Sequence, residues 1–222
     1  MEFPELLEKI IEDFLEREVR EHQIGVYYPS EINYCLRRLY FMYKKPKKFD
    51  IATLKVLESG NIFHTWFQDV LLKAYLSDKI CSFDYEGCLE HKVNDIVIKG
   101  RYDDIIALDI NNEKIILEIK TAKRINFIDK PKEHHVSQLN FYLTMCKLKK
   151  GYIIYIDRST LQHKMFEIEQ SDELMKKMEK RALLLHKHLI EDKIPFEEGK
   201  IEKGMRWNCD YCNYKAECLE VL

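Results

Sequence analysis

Two carboxylates and a lysine, Asp103, Glu118 and Lys120, have the types and spacing of a divalent-cation site. Ile115, Ile116, Leu117 and Ile119 make the second segment an apolar run. It reads as a buried strand, where a charged pair needs a reason. Residues i and i+2 of a strand share a face, so Glu118 and Lys120 project together. A turn at Asn111-Asn112 would pair this strand with the one that starts at Asp103. Hard oxygen ligands on one face suit Mg²⁺ or Mn²⁺. A neighbouring ammonium can orient a water and offset charge on a phosphate, which is what phosphodiester hydrolysis needs. Glu-Xaa-Lys also begins at Glu90, Glu191 and Glu198, so context singles out Glu118. Asp104 must face away from Asp103. Asp103 keeps the Gly-Xaa-Xaa-Asp spacing from Gly100, and Asp109 is a third candidate.

Seven cysteines in 222 residues are the second chemical signal. An odd count with no secretory leader argues against a disulfide framework and for thiolate ligands. Cys209, Cys212 and Cys218 form C-x₂-C-x₅-C in WNCDYCNYKAEC. Three thiolates leave a fourth place, for which Cys35 is the natural candidate and Cys81, Cys88 and Cys146 are alternatives. Zinc and an iron–sulfur cluster both accept four thiolates, and spacing does not separate them.

The elements that must position these groups follow from periodicity. Residues 3–22 predict an amphipathic helix, and a second helix starts near Pro29-Ser30 and carries Cys35, Arg37 and Arg38. Residues 51–77 predict a longer helix containing Gly60 and His64. Segments 83–91, 93–99, 102–110 and 113–121 are strand-like, with turn signals at Lys99-Gly100 and Asn111-Asn112. Helix 133–147, strands 151–157 and 163–168, and helix 171–191 follow, and the tail from Ile194 reads as irregular. The expected fold class is α/β, a mixed and mostly antiparallel central sheet flanked by helices. It forms a single domain: an N-terminal helical segment over 1–50, a core over 51–193 and a cysteine tail over 194–222.

A net charge of −2 excludes a bulk basic coat but not a local channel. Arg37, Arg38, Lys44, Lys45, Lys47 and Lys48 form one basic stretch, and Lys123, Arg124, Lys130 and Lys132 form another. Tyr34, Tyr40, Phe41, Tyr43 and Phe127 are interleaved, a composition that suits single strands. His134 and His135 lack metal-pair spacing and read as a helix start near substrate. No apolar run is long enough to span a membrane, and no Gly-rich phosphate loop predicts a nucleotide cofactor. A cytoplasmic location is expected.

Gly60-Asn61-Ile62-Phe63-His64, Gly100–Asp103, Glu118-Ile119-Lys120 and Gln138-Leu139-Asn140-Phe141-Tyr142 occur in one order along the chain. In that order they resemble the motifs of the RecB-like branch of PD-(D/E)XK nucleases. The resemblance implies that Asp103, Glu118 and the Ile119 carbonyl bind the catalytic cation, with His64 as a further ligand. Lys120 would position the water, and Gln138 and Tyr142 would support the site and meet the DNA. One cysteine before the core and three after it resemble the CRISPR-associated exonucleases of the Cas-four family, although Leu36 stands where a proline is common there. This implies a [4Fe–4S] cluster on Cys35, Cys209, Cys212 and Cys218. It also implies single-stranded DNA exonuclease activity that trims fragments for insertion into a CRISPR array, alongside the Cas-one/Cas-two integrase. A repair nuclease of the same chemistry and a non-catalytic DNA-binding scaffold are the rival readings.

Overall fold

A computed structural model describes residues 2–108 and 113–220. The elements in chain order are α1 (Phe3–Leu15), β1 (Val26–Tyr27), α2 (Leu36–Lys44), α3 (Ile51–Leu76), β2 (Ser82–Tyr85) and β3 (Cys88–Val93). Next come β4 (Ile96–Arg101), β5 (Asp104–Ala107), β6 (Lys114–Ala122), α4 (Glu133–Cys146), β7 (Lys150–Asp157) and β8 (His163–Glu169). The chain closes with α5 (Asp172–Ile190) and three short helices, α6 (Glu198–Ile201), α7 (Trp207–Asp210) and α8 (Lys215–Leu219).

The expected α/β core is present. Its main sheet has the order β2-β5-β6-β7-β8. Among its described strands only β6 and β7 run parallel, with α4 as the crossover between them. A smaller sheet, β1-β4-β3, was not expected and lies against α4 and α5; in it β1 and β4 are also parallel. The main sheet buries both faces. Ile116, Ile153 and Tyr155 face a core shared with α2, α4 and α5. Ile115, Leu117, Ile119, Ile154 and Ile156 face Phe63, Phe67 and Leu71 of α3. By strand alternation, Glu118 and Lys120 lie on the Ile116 face, the side covered by α4.

Several boundaries follow local chemistry. The Asp50 carboxylate accepts from the Thr53 amide at 2.7 Å and starts α3. Ser171 does the same for α5 through Leu174. Asn140, 1% exposed, clips α4 to that helix start by bonding both the N–H and the C=O of Ser171.

Other boundaries depart from expectation. α1 ends at Leu15 rather than near 22, because the charged run Glu16–Glu21 offers almost no apolar stripe to bury. α2 starts after Cys35, not at Pro29-Ser30: Arg181 takes the Ile32 and Tyr34 carbonyls that an earlier helix would use. The 83–91 strand is broken at Glu86, whose φ is +55°, and at Gly87, where a Cβ would enter the Tyr102 ring. Lys99-Gly100 lies inside β4, and the hairpin turns at Asn94 instead. Gly100 is needed there because a Cβ would come 2.6 Å from Tyr142 and 3.0 Å from Phe141. The tail from Ile194 is not irregular but forms α6, α7 and α8. The Asn111-Asn112 turn and Asp109 fall outside the described residues.

β6 and β7 approach closely at Gly151, where a Cβ would stand 2.7 Å from the Ile116 carbonyl oxygen. Backbone cannot yield as a side chain can. Gly151→Ala is therefore expected to cost about 1–3 kcal/mol by overpacking, read from urea unfolding. A neutral result would mean that the two strands are spaced more widely.

Candidate active site and cysteine pocket

Antiparallel register sets the acidic pair. Asp104 pairs with Leu117 across β5 and β6, so Asp103 falls opposite Glu118. Alternation then puts Asp103 and Glu118 on one face and Asp104 on the other. The Asp103 Oδ2 atom accepts the Ile119 N–H at 2.7 Å, which fixes this carboxylate over the strand. His64 reaches across from α3, its Nδ1 3.5 Å from Asp103 Oδ1. Lys120 donates to Glu118 Oε1. The structure thus brings Asp103, Glu118, Lys120 and His64 together.

Glu118 is 0% exposed and its Oε2 has no hydrogen-bond partner. Burial first, and then the Asp103 charge, push its pKa up to about 8, against the pull of Lys120. Lys120 stays firmly protonated: burial works against its charge, but Glu118 and Asp103 outweigh it. An unpaired, sealed carboxylate oxygen beside a second carboxylate is poorly stable alone and is well matched to a hard divalent cation. Asp103, Glu118 and His64 supply the donor types, and the Ile119 carbonyl directly follows Glu118 in sequence.

Gln138 and Tyr142 stand one turn apart on α4, with Gln138 Nε2 3.2 Å from the Tyr142 hydroxyl. Both are buried. Burial, and next the Glu118 charge, hold the Tyr142 hydroxyl well above its usual pKa, so it remains a neutral donor close to the acidic pair. They form the floor of the site; the expected contact with a strand has no surface here.

The cysteine pocket is built by reciprocal capping. Cys35, Cys209, Cys212 and Cys218 line one small cavity. Cys81, Cys88 and Cys146 do not line it. The tail caps the exposed N–H groups at the start of α2: Asn208 Oδ1 takes the Cys35 amide at 3.2 Å and Glu198 takes the Leu36 amide at 2.7 Å. Arg181 holds Glu198 through two nitrogens, at 2.9 and 2.6 Å. Gly199 lies so close that a Cβ would meet Cys209 Sγ at 2.7 Å. Backbone N–H of Tyr214 points at Cys212 Sγ at 3.4 Å. Four thiols lining one cavity, with N–H donors aimed at sulfur, are the donor set of a tetrathiolate-bound group. Among the described residues no three Cys, His, Asp or Glu side chains converge tightly enough to form a complete ion cage.

The basic residues divide differently from expectation. Arg37, expected at the DNA, is buried: it donates to the Pro195 carbonyl at 2.8 Å and pairs with Glu197. It clamps the tail. Tyr40, Phe41 and Tyr43 are core residues. Lys44, Lys47 and Lys48 pair with Asp192, Glu217 and Glu16. Arg38 is half-buried, with its guanidinium 4.1 Å from the Tyr34 ring centre and no carboxylate partner among the described residues. Lys123, Arg124, Lys130 and Lys132, just past the end of β6, are exposed and have no ion pairs among the described residues; Phe127 between them is 74% exposed.

Comparison with known proteins gives a consistent picture. The family model of the PD-(D/E)XK nuclease superfamily matches residues 4–219. The chain is 27% identical over 221 residues, 98% of its length and 97% of the relative's, to a CRISPR-associated exonuclease Cas4 of Saccharolobus solfataricus. A crystal structure described as SSO0001 superposes with a TM-score of 0.63 at 24% identity, covering 100% of this chain and 98% of that one. An alkaline exonuclease from Laribacter hongkongensis matches at a TM-score of 0.53 and 13% identity, over 76% of this chain and 90% of that one. The last two show likeness of fold.

The raised Glu118 pKa, about 8 against an ordinary 4.5, sets a pH test. Folded chain keeps a proton that unfolded chain releases, so without divalent cation stability is full below about 4.5 and is lost as pH rises toward about 8. Asp104, pushed up to about 7 by burial, Asp103 and Glu86, acts in the same direction. Urea unfolding in chelator is expected to show wild type losing ground to Glu118→Gln as pH rises from about 5 to 8. Parallel stability profiles would show that Glu118 is not held in this way.

Proposed function

The chain belongs to the PD-(D/E)XK nuclease superfamily, and from that premise we propose that it is a divalent-metal-dependent exonuclease acting on single-stranded DNA. One observation carries the reading: Asp103 and Glu118 face each other across β5 and β6, with Lys120 beside them and a buried Glu118 oxygen left without a partner. Asp103, Glu118, His64 and the Ile119 carbonyl would hold Mg²⁺ or Mn²⁺. When bound, that ion would supply Lewis acidity to a phosphoryl oxygen and lower the pKa of a water. Lys120, kept cationic by the two carboxylates, orients the attacking water and offsets charge on the phosphate. Asp103, pinned by the Ile119 amide at one oxygen, presents the other beside His64. Gln138 and Tyr142 close the floor against bulk water. The exposed basic loop after β6, with Phe127 projecting from it, favours a flexible single strand whose phosphates and bases it can meet separately. Arg38, half-buried over the Tyr34 ring, would be a further contact for a phosphate.

Similarity to a CRISPR-associated exonuclease supports a role in trimming DNA for a CRISPR array in the cytoplasm, with the Cas-one/Cas-two integrase as partner. No helix among the described residues is long and apolar enough to cross a membrane. The four cysteines, with the Asn208, Glu198 and Arg181 clasp around them, support a [4Fe–4S] cluster that ties the chain's end to the start of α2. A cluster in this position would be coupled to folding.

End-labelled single strands with Mn²⁺ are expected to be shortened by wild type. Asp103→Ala is expected to slow cleavage by at least about 10²-fold, the scale of losing a preorganised electrostatic group. Equal cleavage by both proteins would place the chemistry elsewhere. Anaerobically purified wild type is expected to be brown, with visible absorbance bleached by dithionite. Cys35→Ser or Cys209→Ser should lose that colour and melt earlier. A colourless protein with stoichiometric zinc would replace the cluster with a zinc site.

A further inference from the structure

His135 has a defined chemical state that the cation site does not use. Tyr155 of β7 pairs in register with Lys120 of β6, so the two side chains stand next to each other on one sheet face. The Tyr155 hydroxyl accepts the Lys132 N–H at 3.0 Å and lies 2.8 Å from His135 Nδ1. Tyr155 is 1% exposed and has no other hydrogen-bond partner among the described residues. Its single hydrogen is therefore satisfied only by donation to Nδ1. With Nδ1 accepting, the ring's own proton sits on Nε2. Nε2 has no protein partner among the described residues and is not wholly sealed from solvent. The result is a fixed N–H donor at the rim of the site, one side chain from the lysine.

The ring is also held neutral and in place. Burial, then Lys120, His134 and Lys132, hold the His135 imidazole far below its usual pKa. It does not trade protons near neutrality; it only donates a hydrogen bond. His134 packs edge-on against it at 4.2 Å, and on its other side stacks on Trp207 at 4.5 Å. The first turn of α4 is thus braced from both ends.

We propose that His135 Nε2–H contacts a non-bridging oxygen of the phosphate being cleaved, acting with Lys120 as a second donor. The proposal rests on the nuclease reading above. It differs from a merely structural histidine in requiring a hydrogen on Nε2 and an oxygen to receive it. A neutral donor adds stabilisation as charge builds on the phosphate without repelling Lys120, which a second cation there would do.

The test uses cluster-loaded full-length protein and an end-labelled single strand with Mn²⁺ under saturating, single-turnover conditions. His135→Leu is expected to lower the rate constant by about 10²-fold, with half-saturation changed less than about threefold. His135→Gln, whose amide N–H can reach the same oxygen, is expected to recover to within about tenfold of wild type. A His135→Leu rate within about twofold of wild type overturns the proposal, and so does His135→Gln as slow as His135→Leu. Should His135→Leu fail to fold, wild type labelled with ¹⁵N-histidine gives a second readout. Its Nε2–H resonance, assigned with His135→Gln, should shift and become protected from exchange when a single strand is added with Ca²⁺. No change overturns the proposal. Lys120→Ala runs in parallel: if wild type shows no cleavage that this variant loses, the nuclease reading fails; if it does, only the role of His135 is at stake.

Discussion

Glu118 is a carboxylate with no contact to water, set in the middle strand of a sheet whose other face carries mainly apolar side chains beside the buried Asp104. Placing such a group there is costly unless something compensates it. Among the described residues only Lys120 does so, and it satisfies one of the two carboxylate oxygens. Most of the nearby architecture follows from supporting that arrangement. The sheet is buried on both sides, which excludes water. β5 is registered to bring Asp103 opposite, and the Ile119 amide turns the Asp103 carboxylate inward. α4 lays Gln138 and Tyr142 across the floor with their polar groups joined to each other. An apolar pair there would pack as well but would leave Glu118 with no polar neighbour on that side.

The second constraint is the start of α2. A helix that begins in the interior must find partners for its first amides. Here no side chain of its own provides them. Asn208 and Glu198 do, more than 160 residues later in the chain, and Arg181 neutralises Glu198 while occupying the carbonyls just upstream. The tail is thereby part of the fold and not an appendage. Cys35, adjacent to those capped amides, is delivered to the three tail cysteines by the same contacts. The clasp therefore brings the thiols to one cavity before any ligand joins them, and a bound cluster would tighten a junction that hydrogen bonds have already drawn.

Much of this was legible in the sequence because it rests on periods of two and of 3.6. The Glu118–Lys120 pair, its apolar flanks, and the helices expected over 51–77 and 171–191 follow from which residues share a face, while the choice of Asp103 over Asp104 rests on its spacing to Gly100. What stayed hidden depends on contacts distant in sequence. Arg37 sits in a basic run and looked like a phosphate contact; only the fold shows Pro195 and Glu197 waiting for it. Lys99-Gly100 looked like a turn, since glycine marks turns more often than it marks the approach of a ring such as Tyr142. The tail helices are four or five residues long, too short to show a period. α1 shows the opposite failure: its amphipathic pattern is real, yet Phe3, Ile10 and Phe14 remain exposed, so periodicity alone did not say whether that face is covered.

The two constraints meet at one place. Tyr34 and Cys35 are sequence neighbours; the thiol of one lines the tail cavity while the ring of the other packs edge-on against Trp207. Trp207, two residues before Cys209, stacks in turn on His134 at the start of α4. His135 and Tyr155 continue that contact to the strand beside Lys120. Closing the tail thus fixes the position of a helix start on which the rim of the active site depends. Side chains that touch in series transmit position because packed rings cannot slide past one another without opening a void. A change in the cysteine pocket would accordingly reach the rim through Trp207 and His134, while the acidic pair, held by sheet register and the Ile119 amide, would stay where it is. Loss of the tail should then impair the site by loosening its rim and not by dispersing its ligands.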